Sequence, residues 1–201
     1  MSSLVLVRHG RTAANARGLL LGRLDVPLDD VGERQAVAVA AAVRASTGAI
    51  TAVVSSPLAR TRRTAEAFGV DVVIDDRFVE LDYGDFDGRP LAEVPPEVWG
   101  AWRSDPAFCP PGGETLGQVS ERVTEACADW ADRAGGGAVV VVTHVSPLKA
   151  AVAWALGVGD ETGWRTRVDP ASITRVAVDG PLPVLRSFNE TGHLAAVTPS
   201  G

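Results

Sequence analysis

A cation, an imidazole and a glycine stand together near the start of the chain, as Arg8, His9 and Gly10. An arginine can hold an oxyanion through two parallel hydrogen bonds, and a histidine can act as a nucleophile. The glycine lets the main chain approach a ligand closely. The three residues follow the apolar run 4–7, which is typical of a strand buried on both faces. Because open α/β sheets bind ligands beyond the carboxyl ends of their strands, the pattern predicts an anion-binding crevice here.

Two further segments carry residues with chemical potential. Arg60 is predicted to lie about one turn into a helix that follows a second buried strand, 52–54, with Pro57 in the first helical turn. Glu80 opens a loop over residues 80–88 that contains two glycines and several acids. The spacing of those acids does not match a calcium-binding loop, so the sequence predicts no metal site there.

A second histidine, His144, repeats the arrangement found at His9. It follows the valine-rich run 138–142, and a helix is predicted to start near Pro147. The free amide groups at a helix start can receive an anion. Two buried strands that each end in a histidine favour a shared site at one edge of the sheet.

In residue types and in order, these segments resemble the histidine phosphatase superfamily, also called the phosphoglycerate-mutase-like family. The resemblance covers essentially the whole chain, although the family usually has alanine where Thr61 stands. It implies a transiently phosphorylated histidine, two phosphate-binding arginines, a proton-donating glutamate and a second, protonated histidine. In that order these residues are His9, Arg8 and Arg60, Glu80, and His144. The resemblance implies neither a metal nor a cofactor.

Other positions are expected to help bind the substrate. Asn15 stands at the family's asparagine position, where it either contacts the phosphoryl oxygens or caps a loop. Gly22 is placed with the substrate-binding residues, with loop architecture as its alternative role. Specificity is assigned to the cap region and to four side chains: Arg11, Arg23, Phe86 and Trp102.

A phosphatase is favoured over a mutase. A mutase must retain a bisphosphorylated intermediate, and the cofactor-dependent mutases carry an arginine pair and a lysine after the acid glutamate. This chain has only the isolated Arg89, Arg103 and Arg122 in that region, and its ending 189–194 resembles the phosphatase branch. The sequence therefore predicts a metal-independent phosphomonoesterase of the histidine acid phosphatase type. A cofactor-dependent phosphoglycerate mutase and a non-catalytic protein that binds a phosphorylated ligand stay as alternatives.

The composition limits which binding partners and which cellular compartment we expect. The 201 residues are 46% hydrophobic, enough for one domain over 1–201 with a sizeable core, and the net charge of −6 gives nucleic-acid binding no electrostatic support. No apolar run approaches the roughly 20 residues that span a membrane, and residues 1–3 leave no room for a signal peptide. Two cysteines in unrelated contexts suit a reducing cytoplasm. We therefore expect a cytoplasmic enzyme, either monomeric or a homodimer, that acts on a small phosphorylated metabolite without membrane or nucleic acid.

The elements that must position the site alternate between strand and helix. This alternation predicts a three-layer, doubly wound, mostly parallel sheet with helices on both faces. A small helical cap is expected to be inserted after Glu80. Asp29 or Asp30 should cap the first long helix, and Asp30 with Glu33 resembles a capping box. The other predicted elements are that helix, which ends near Ala45, a helix over 114–133, and two final strands over 172–178 and 183–189.

Overall fold

A single mixed sheet organises the molecule. The computed structural model describes residues 1–105 and 107–197. The strands in these ranges are β1 (Ser3–Arg8), β2 (Ile50–Ser55), β3 (Val72–Ile74), β4 (Ala138–Thr143), β5 (Ile173–Ala177) and β6 (Val184–Glu190). They lie in the order β3-β2-β4-β1-β5-β6, and only β5 runs against the other five. The predicted mostly parallel α/β sheet is therefore confirmed, while the predicted domain end at residue 201 lies outside the described residues.

Helices cover both faces of this sheet. They are α1 (Ala13–Ala16), α2 (Asp30–Ser46), α3 (Ala59–Glu66), α4 (Pro96–Ser104), α5 (Leu116–Asp132) and α6 (Val145–Leu156), joined in places by short 3-10 turns. Within the described ranges, no helix combines the length and the apolar character needed to cross a bilayer.

The central strands are buried on both faces. In β1, Leu4 and Leu6 join a cluster with side chains of α5 and α6, while Val5 and Val7 join a second cluster with side chains of α2 and α3. Each such side chain contributes about 1.5–3 kcal/mol when it leaves water. This double burial explains why the strands are unbroken apolar runs in the sequence.

Strand register places the two histidines together. β1 and β4 pair in parallel with Arg8 opposite Thr143, and the amide of His9 continues the ladder by donating to the Thr143 carbonyl at 3.0 Å. On the other side of β4, the amide of Ser56 donates to the Val142 carbonyl at 3.1 Å. The residues that follow three neighbouring strands therefore emerge side by side at one edge of the sheet.

One helix start differs from the prediction. Helix α3 begins at Ala59, so the prediction that Pro57 lies in its first turn is wrong. The reason is the ladder bond of Ser56, which keeps the chain extended beyond the end of β2. Helix α6 begins at Val145, close to the predicted start near Pro147, which takes the third helical position, where its missing N–H costs no hydrogen bond.

The first turn of α2 is capped by Asp29, whose carboxylate accepts a hydrogen bond from the Gly32 amide at 2.8 Å. The capping box expected from Asp30 and Glu33 does not form. Glu33 instead pairs with Arg63 of α3 at 2.9 Å. Asp30, one residue beyond the cap, is already helical.

The turn after His9 packs directly on this end of α2. A Cβ atom on Gly10 would lie 2.5 Å from the Gly32 carbonyl oxygen, and one on Gly32 would lie 2.0 Å from the Arg11 carbonyl oxygen. Neither position has room for a side chain, because the obstructing atoms belong to the main chain. The two glycines thus allow the main chain after His9 to pack directly against the main chain at the start of α2, and this contact fixes the position of His9.

The predicted helical cap is present after Glu80. It consists of 3-10 turns followed by α4, and its own small core is centred on Trp102. The Trp102 ring lies 5.7 Å from the ring of Tyr83 and 5.3 Å from that of Phe108. Tyr83 also packs against the main hydrophobic core, so it joins this aromatic cluster to the sheet-based body of the molecule.

Replacing Gly32 by alanine should destabilise the protein. The added methyl group clashes with the main chain at Arg11, and such overpacking typically costs about 1–3 kcal/mol. The free energy of unfolding, measured by urea denaturation, is expected to fall by that amount. Gly48→Ala is the matched control, because a Cβ at Gly48 meets no atom within 4 Å. Equal stability of the two variants would contradict the backbone contact.

Candidate active site

His9 is held in a defined tautomer at the end of β1. Its side chain is 2% exposed, and Nδ1 lies 2.7 Å from the carbonyl oxygen of Gly10. Because a carbonyl only accepts hydrogen bonds, Nδ1 must carry the proton. The lone pair is therefore on Nε2, the atom available for nucleophilic attack.

Two buried guanidinium groups flank this imidazole. Arg8 donates from Nη1 to the Val168 carbonyl at 2.6 Å. Arg60 is fully buried and donates to the carbonyls of Gly22 at 2.6 Å and Leu24 at 2.8 Å. Burial lowers the pKa of Arg8 to about 10 and also lowers the pKa of Arg60. The structure thus holds two poorly solvated cations beside the nucleophile.

Some buried nitrogens of this cluster have no hydrogen-bond partner in the described part of the chain. They are Nε of Arg8, Nε of Arg60 and Nδ1 of His144. Buried polar groups are nearly always satisfied, so three unpartnered nitrogens in one cluster are notable. All three are donors if the His144 proton is on Nδ1, and an oxyanion is the acceptor that matches them.

His144 is the N-cap residue of α6 and is fully buried. Its Nε2 lies 2.8 Å from the Ser56 hydroxyl oxygen, which also accepts a long hydrogen bond of 3.5 Å from the amide of Leu58. The hydroxyl hydrogen can then be donated to Nε2, which leaves the ring proton on Nδ1. Even a neutral His144 therefore has an N–H group for a phosphoryl oxygen.

Both histidines favour the neutral form in the ligand-free protein. Burial is the main cause of a pKa held well below the usual range for each ring, followed for both by the charge of Arg60. The rings are adjacent, with centroids 5.2 Å apart. The protonated His144 that the resemblance implies is thus disfavoured until an anion offsets the arginine charges.

Glu80 lies across the start of α6. Its Oε1 accepts hydrogen bonds from the amides of Leu81 at 2.8 Å and Ser146 at 3.1 Å, and Oε2 accepts one from Val145 at 3.1 Å. The side chain is 3% exposed and lines the same cavity as His9. Oε2 accepts only one of these bonds, so it keeps a lone pair for a proton to be transferred.

The three remaining predicted binding residues lie in different settings. Asn15 lines the cavity, but its Oδ1 forms a capping box with Thr12. The side-chain NH₂ group of Asn15 is therefore the part left for a ligand. Gly22 and Arg23 are not among the cavity-lining residues. The Gly22 carbonyl holds Arg60, and Arg23 pairs with Glu114 at 3.2 Å.

The acids that follow Glu80 stabilise their loop. Asp87 accepts hydrogen bonds from the amides of Gly22 at 2.7 Å and Leu24 at 2.9 Å, and Asp82 accepts one from Gly84 at 2.9 Å. Among residues 1–105 and 107–197, no group of three or more histidine, cysteine or acidic side chains is arranged to hold a metal ion.

A cavity of about 530 Å³ opens in front of these groups. Arg8, His9 and Glu80 are among its polar lining residues, whereas Arg60 and His144 are fully buried and do not line it. Of the four side chains expected to set specificity, Trp102 lines the cavity, and Arg11, Arg23 and Phe86 do not. The structure therefore brings five predicted site residues into one cluster and separates three of the four specificity candidates from it.

Sequence reasoning missed several supporting residues. Thr64 accepts a hydrogen bond from the Gly10 amide at 3.0 Å and donates to the Arg60 carbonyl at 2.8 Å, which links the two phosphate-binding segments. Ser56 supports His144, yet in the sequence it reads only as a residue before a helix. Lys149 lines the cavity, and its signal was available, because it is the only lysine in the chain.

Comparison with known proteins gives consistent matches. The family model described as the histidine phosphatase superfamily (branch 1) matches residues 4–191. The bifunctional protein Rv2228c of Mycobacterium tuberculosis is 39% identical over 200 residues, which are 95% of this chain and 54% of that protein. This chain therefore spans about half the length of that relative.

Two other proteins match over most of their length. The probable phosphoglycerate mutase GpmB of Cronobacter sakazakii is 38% identical over 185 residues, covering 88% of this chain and 85% of that protein. A histidine-to-alanine mutant of phosphoserine phosphatase from Entamoeba histolytica, solved with phosphoserine, is 26% identical. Its structure superposes with a TM-score of 0.86 over 96% of this chain and 100% of that one.

Titration of the three histidines should separate the cluster from the rest of the protein. In imidazole ¹⁵N spectra of the ligand-free protein, His9 and His144 are expected to stay neutral to a lower pH than the half-buried His193, whose pKa is less strongly lowered. Because the unfolded chain binds these protons more readily, stability should fall as the pH drops below about 6.5. Inorganic phosphate should raise the pKa of both buried rings. Titration of His9 or His144 near its usual pH without ligand would contradict this electrostatic picture.

Proposed function

Because this chain belongs to the histidine phosphatase superfamily, we propose that it is a metal-independent phosphomonoesterase that acts through a phosphohistidine on a small phosphorylated metabolite. The observation that carries the proposal is the state of His9. Its Nδ1 proton is directed to the Gly10 carbonyl, which leaves Nε2 free beside two buried arginines with unpartnered nitrogens. A neutral imidazole with a fixed lone pair is the form that can attack phosphorus.

The first step transfers the phosphoryl group. Nε2 of His9 forms a bond to phosphorus as the bond to the ester oxygen breaks in line. Arg8 stabilises the charge on the equatorial oxygens from the cavity wall, and Arg60 and the Nδ1 group of His144 join it once the bound phosphoryl group has displaced the atoms that cover them. Glu80 gives its proton to the leaving oxygen, so the alcohol departs neutral.

The second step returns the enzyme to its starting state. Glu80, now a carboxylate, removes a proton from a water molecule that attacks phosphorus. The bond between phosphorus and His9 breaks, and inorganic phosphate is released. The Gly10 carbonyl holds the ring in place throughout, since it accepts a hydrogen bond from Nδ1 whether or not Nε2 is phosphorylated.

A phosphoglycerate mutase is the second candidate, because the similarity to GpmB favours it. The arginines after Glu80 argue against it. Arg122 is tied to Glu114 at 2.9 Å, and Arg89 and Arg103 lie over the aromatic rings of Phe86 and Trp164. None of the three arginines lines the cavity, so the arginine pair that the cofactor-dependent mutases carry after the acid glutamate has no counterpart there.

The remaining parts of the proposal concern partners and compartment. The substrate class includes the phosphoserine that the Entamoeba histolytica relative binds, which makes phosphoserine a suitable member of an assay panel. A cytoplasmic location is supported by two unpaired cysteines, of which Cys127 is buried and Cys109 is exposed. A non-catalytic binder would hold phosphate without covalent capture.

Capture of labelled phosphate on His9 tests the reaction class. With EDTA present, the wild-type protein quenched during turnover should carry an acid-labile phosphoryl group, and His9→Ala should carry none. The variant should lose roughly 10⁴-fold or more in kcat, because the nucleophile itself is removed. His193→Gln is the control, since His193 bonds to the Ala171 carbonyl and does not line the cavity. Phosphate release by His9→Ala at a near-normal rate would contradict the mechanism. If His9 is labelled but the phosphoryl group passes to an isomer of the substrate instead of being released, the protein is a mutase.

Replacement of Glu80 by glutamine tests the proton donor. An alkoxide leaving group needs a proton in the transition state, whereas nitrophenolate needs far less. Glu80→Gln should slow the single-turnover transfer step for an alkyl phosphate by roughly 10²–10⁴-fold, and far less for p-nitrophenyl phosphate. Asp82→Asn is the matched control, with similar small effects on both substrates. Equal slowing of both substrates in Glu80→Gln would remove Glu80 from the acid role.

A further inference from the structure

The cavity is larger than its phosphate end requires. Beyond Arg8 and His9 its walls are mainly apolar, with Leu19, Trp99 and Trp164 among the side chains that line it. Two cations besides Arg8 line the cavity, Lys149 and Arg167, and Arg167 is already paired with Asp169 at 2.9 Å. The rest of a substrate must lie against these walls when its phosphoryl group is at His9.

Lys149 is held in the cavity by the elements around it. It is the fifth residue of α6 and is half-buried. Its stem lies beside Gly163, where a Cβ would come within 3.6 Å of the Lys149 Cδ atom. Burial lowers the pKa of Lys149, with Glu80 and Arg8 as the charged groups close enough to act on it. The ammonium is therefore partly desolvated.

The acids that line the cavity already accept hydrogen bonds from other groups, and none of these acids is paired with Lys149. Asp160 accepts a hydrogen bond from the Ser120 hydroxyl, and Asp169 accepts one from the side-chain amide of Asn189 at 2.9 Å. Glu80 accepts its three bonds from main-chain amides. In the described residues no carboxylate lies within the 4.0 Å that defines an ion pair with Lys149.

The helix sets the spacing between this ammonium and the reaction centre. The amides of Val145 and Ser146 bind Glu80, and Lys149 follows three to four residues later, about one helical turn of roughly 5 Å along α6. Residues separated in this way share a face of the helix. The proton donor for the leaving oxygen and the Lys149 cation therefore face the cavity from neighbouring turns.

We propose that Lys149 binds a second anionic group of the substrate, so that the preferred substrates are phosphate monoesters of acidic alcohols. The inference rests on the proposed function and deepens it by naming the substrate class. A carboxylate and a second phosphate share the required chemistry, a full negative charge with several acceptor oxygens. A partly desolvated ammonium gains more from such a partner than an exposed one does.

Three esters with the same three-carbon chain test this role. They are propyl phosphate, 3-phosphonooxypropanoate with its carboxylate, and propane-1,3-diyl bisphosphate. The wild-type enzyme should prefer one acidic ester or both over propyl phosphate in kcat/KM. Lys149→Gln should reduce that preference by roughly 10- to 100-fold, as expected for the loss of a hydrogen bond between charged groups. Lys149→Arg should restore part of it.

Arg62→Gln is the charge-matched control, because Arg62 is exposed on α3 and does not line the cavity. It should preserve the preference, which excludes a general effect of net charge. The same comparison is made by calorimetric binding of the three esters to His9→Ala, so that the result does not depend on turnover. No preference in the wild-type protein, or an unchanged preference in Lys149→Gln, would overturn the role of Lys149. If no ester releases phosphate, the proposed function fails, and the binding data still decide this inference.

Discussion

The parallel pairing of β1 with β4 decides where the candidate catalytic groups lie. Arg8 faces Thr143 across this pair, and the next residue on each strand is a histidine. A slip of one residue would turn every side chain of β1 to the opposite face and separate the two rings. The register is held by valines and leucines packed on both faces, so the hydrophobic core itself sets the geometry of the site.

A second constraint joins the cap-bearing loop to the same edge. The Glu80 carboxylate bonds to two amides at the start of α6, the helix that His144 caps. The acid, the second histidine and the cavity-lining Lys149 therefore share one rigid element. Any movement of α6 would shift all three together, which keeps their spacing relative to one another constant.

The sequence was sufficient for the elements whose signal is local. Unbroken apolar runs predicted the buried strands, and the polar residue after each run predicted the edge at which the site lies. The sequence was insufficient where main-chain atoms form the hydrogen bonds, because every residue type has a main-chain carbonyl. The carbonyls that hold Arg60 belong to Gly22 and Leu24, and the one that holds Arg8 belongs to Val168.

The start of α3 was missed for a related reason. Pro57 is a proper helix-start residue, yet a ladder bond of the preceding serine keeps the chain extended there. Gly22 was placed with the substrate-binding residues, with loop architecture as its alternative role, and its bonds to Asp87 and Arg60 are those of a loop residue. Tertiary hydrogen bonds decided both cases, and they connect residues far apart in the chain.

The unpartnered nitrogens of Arg8, Arg60 and His144 have a consequence for product release as well as for the reaction. Two buried arginines and a histidine N–H group with unpartnered nitrogens together favour the binding of a dianion. Inorganic phosphate has the same oxygens as the group that is transferred, and it leaves last. A phosphatase with such a pocket would be inhibited by its own product, so its turnover would fall as the phosphate concentration rises.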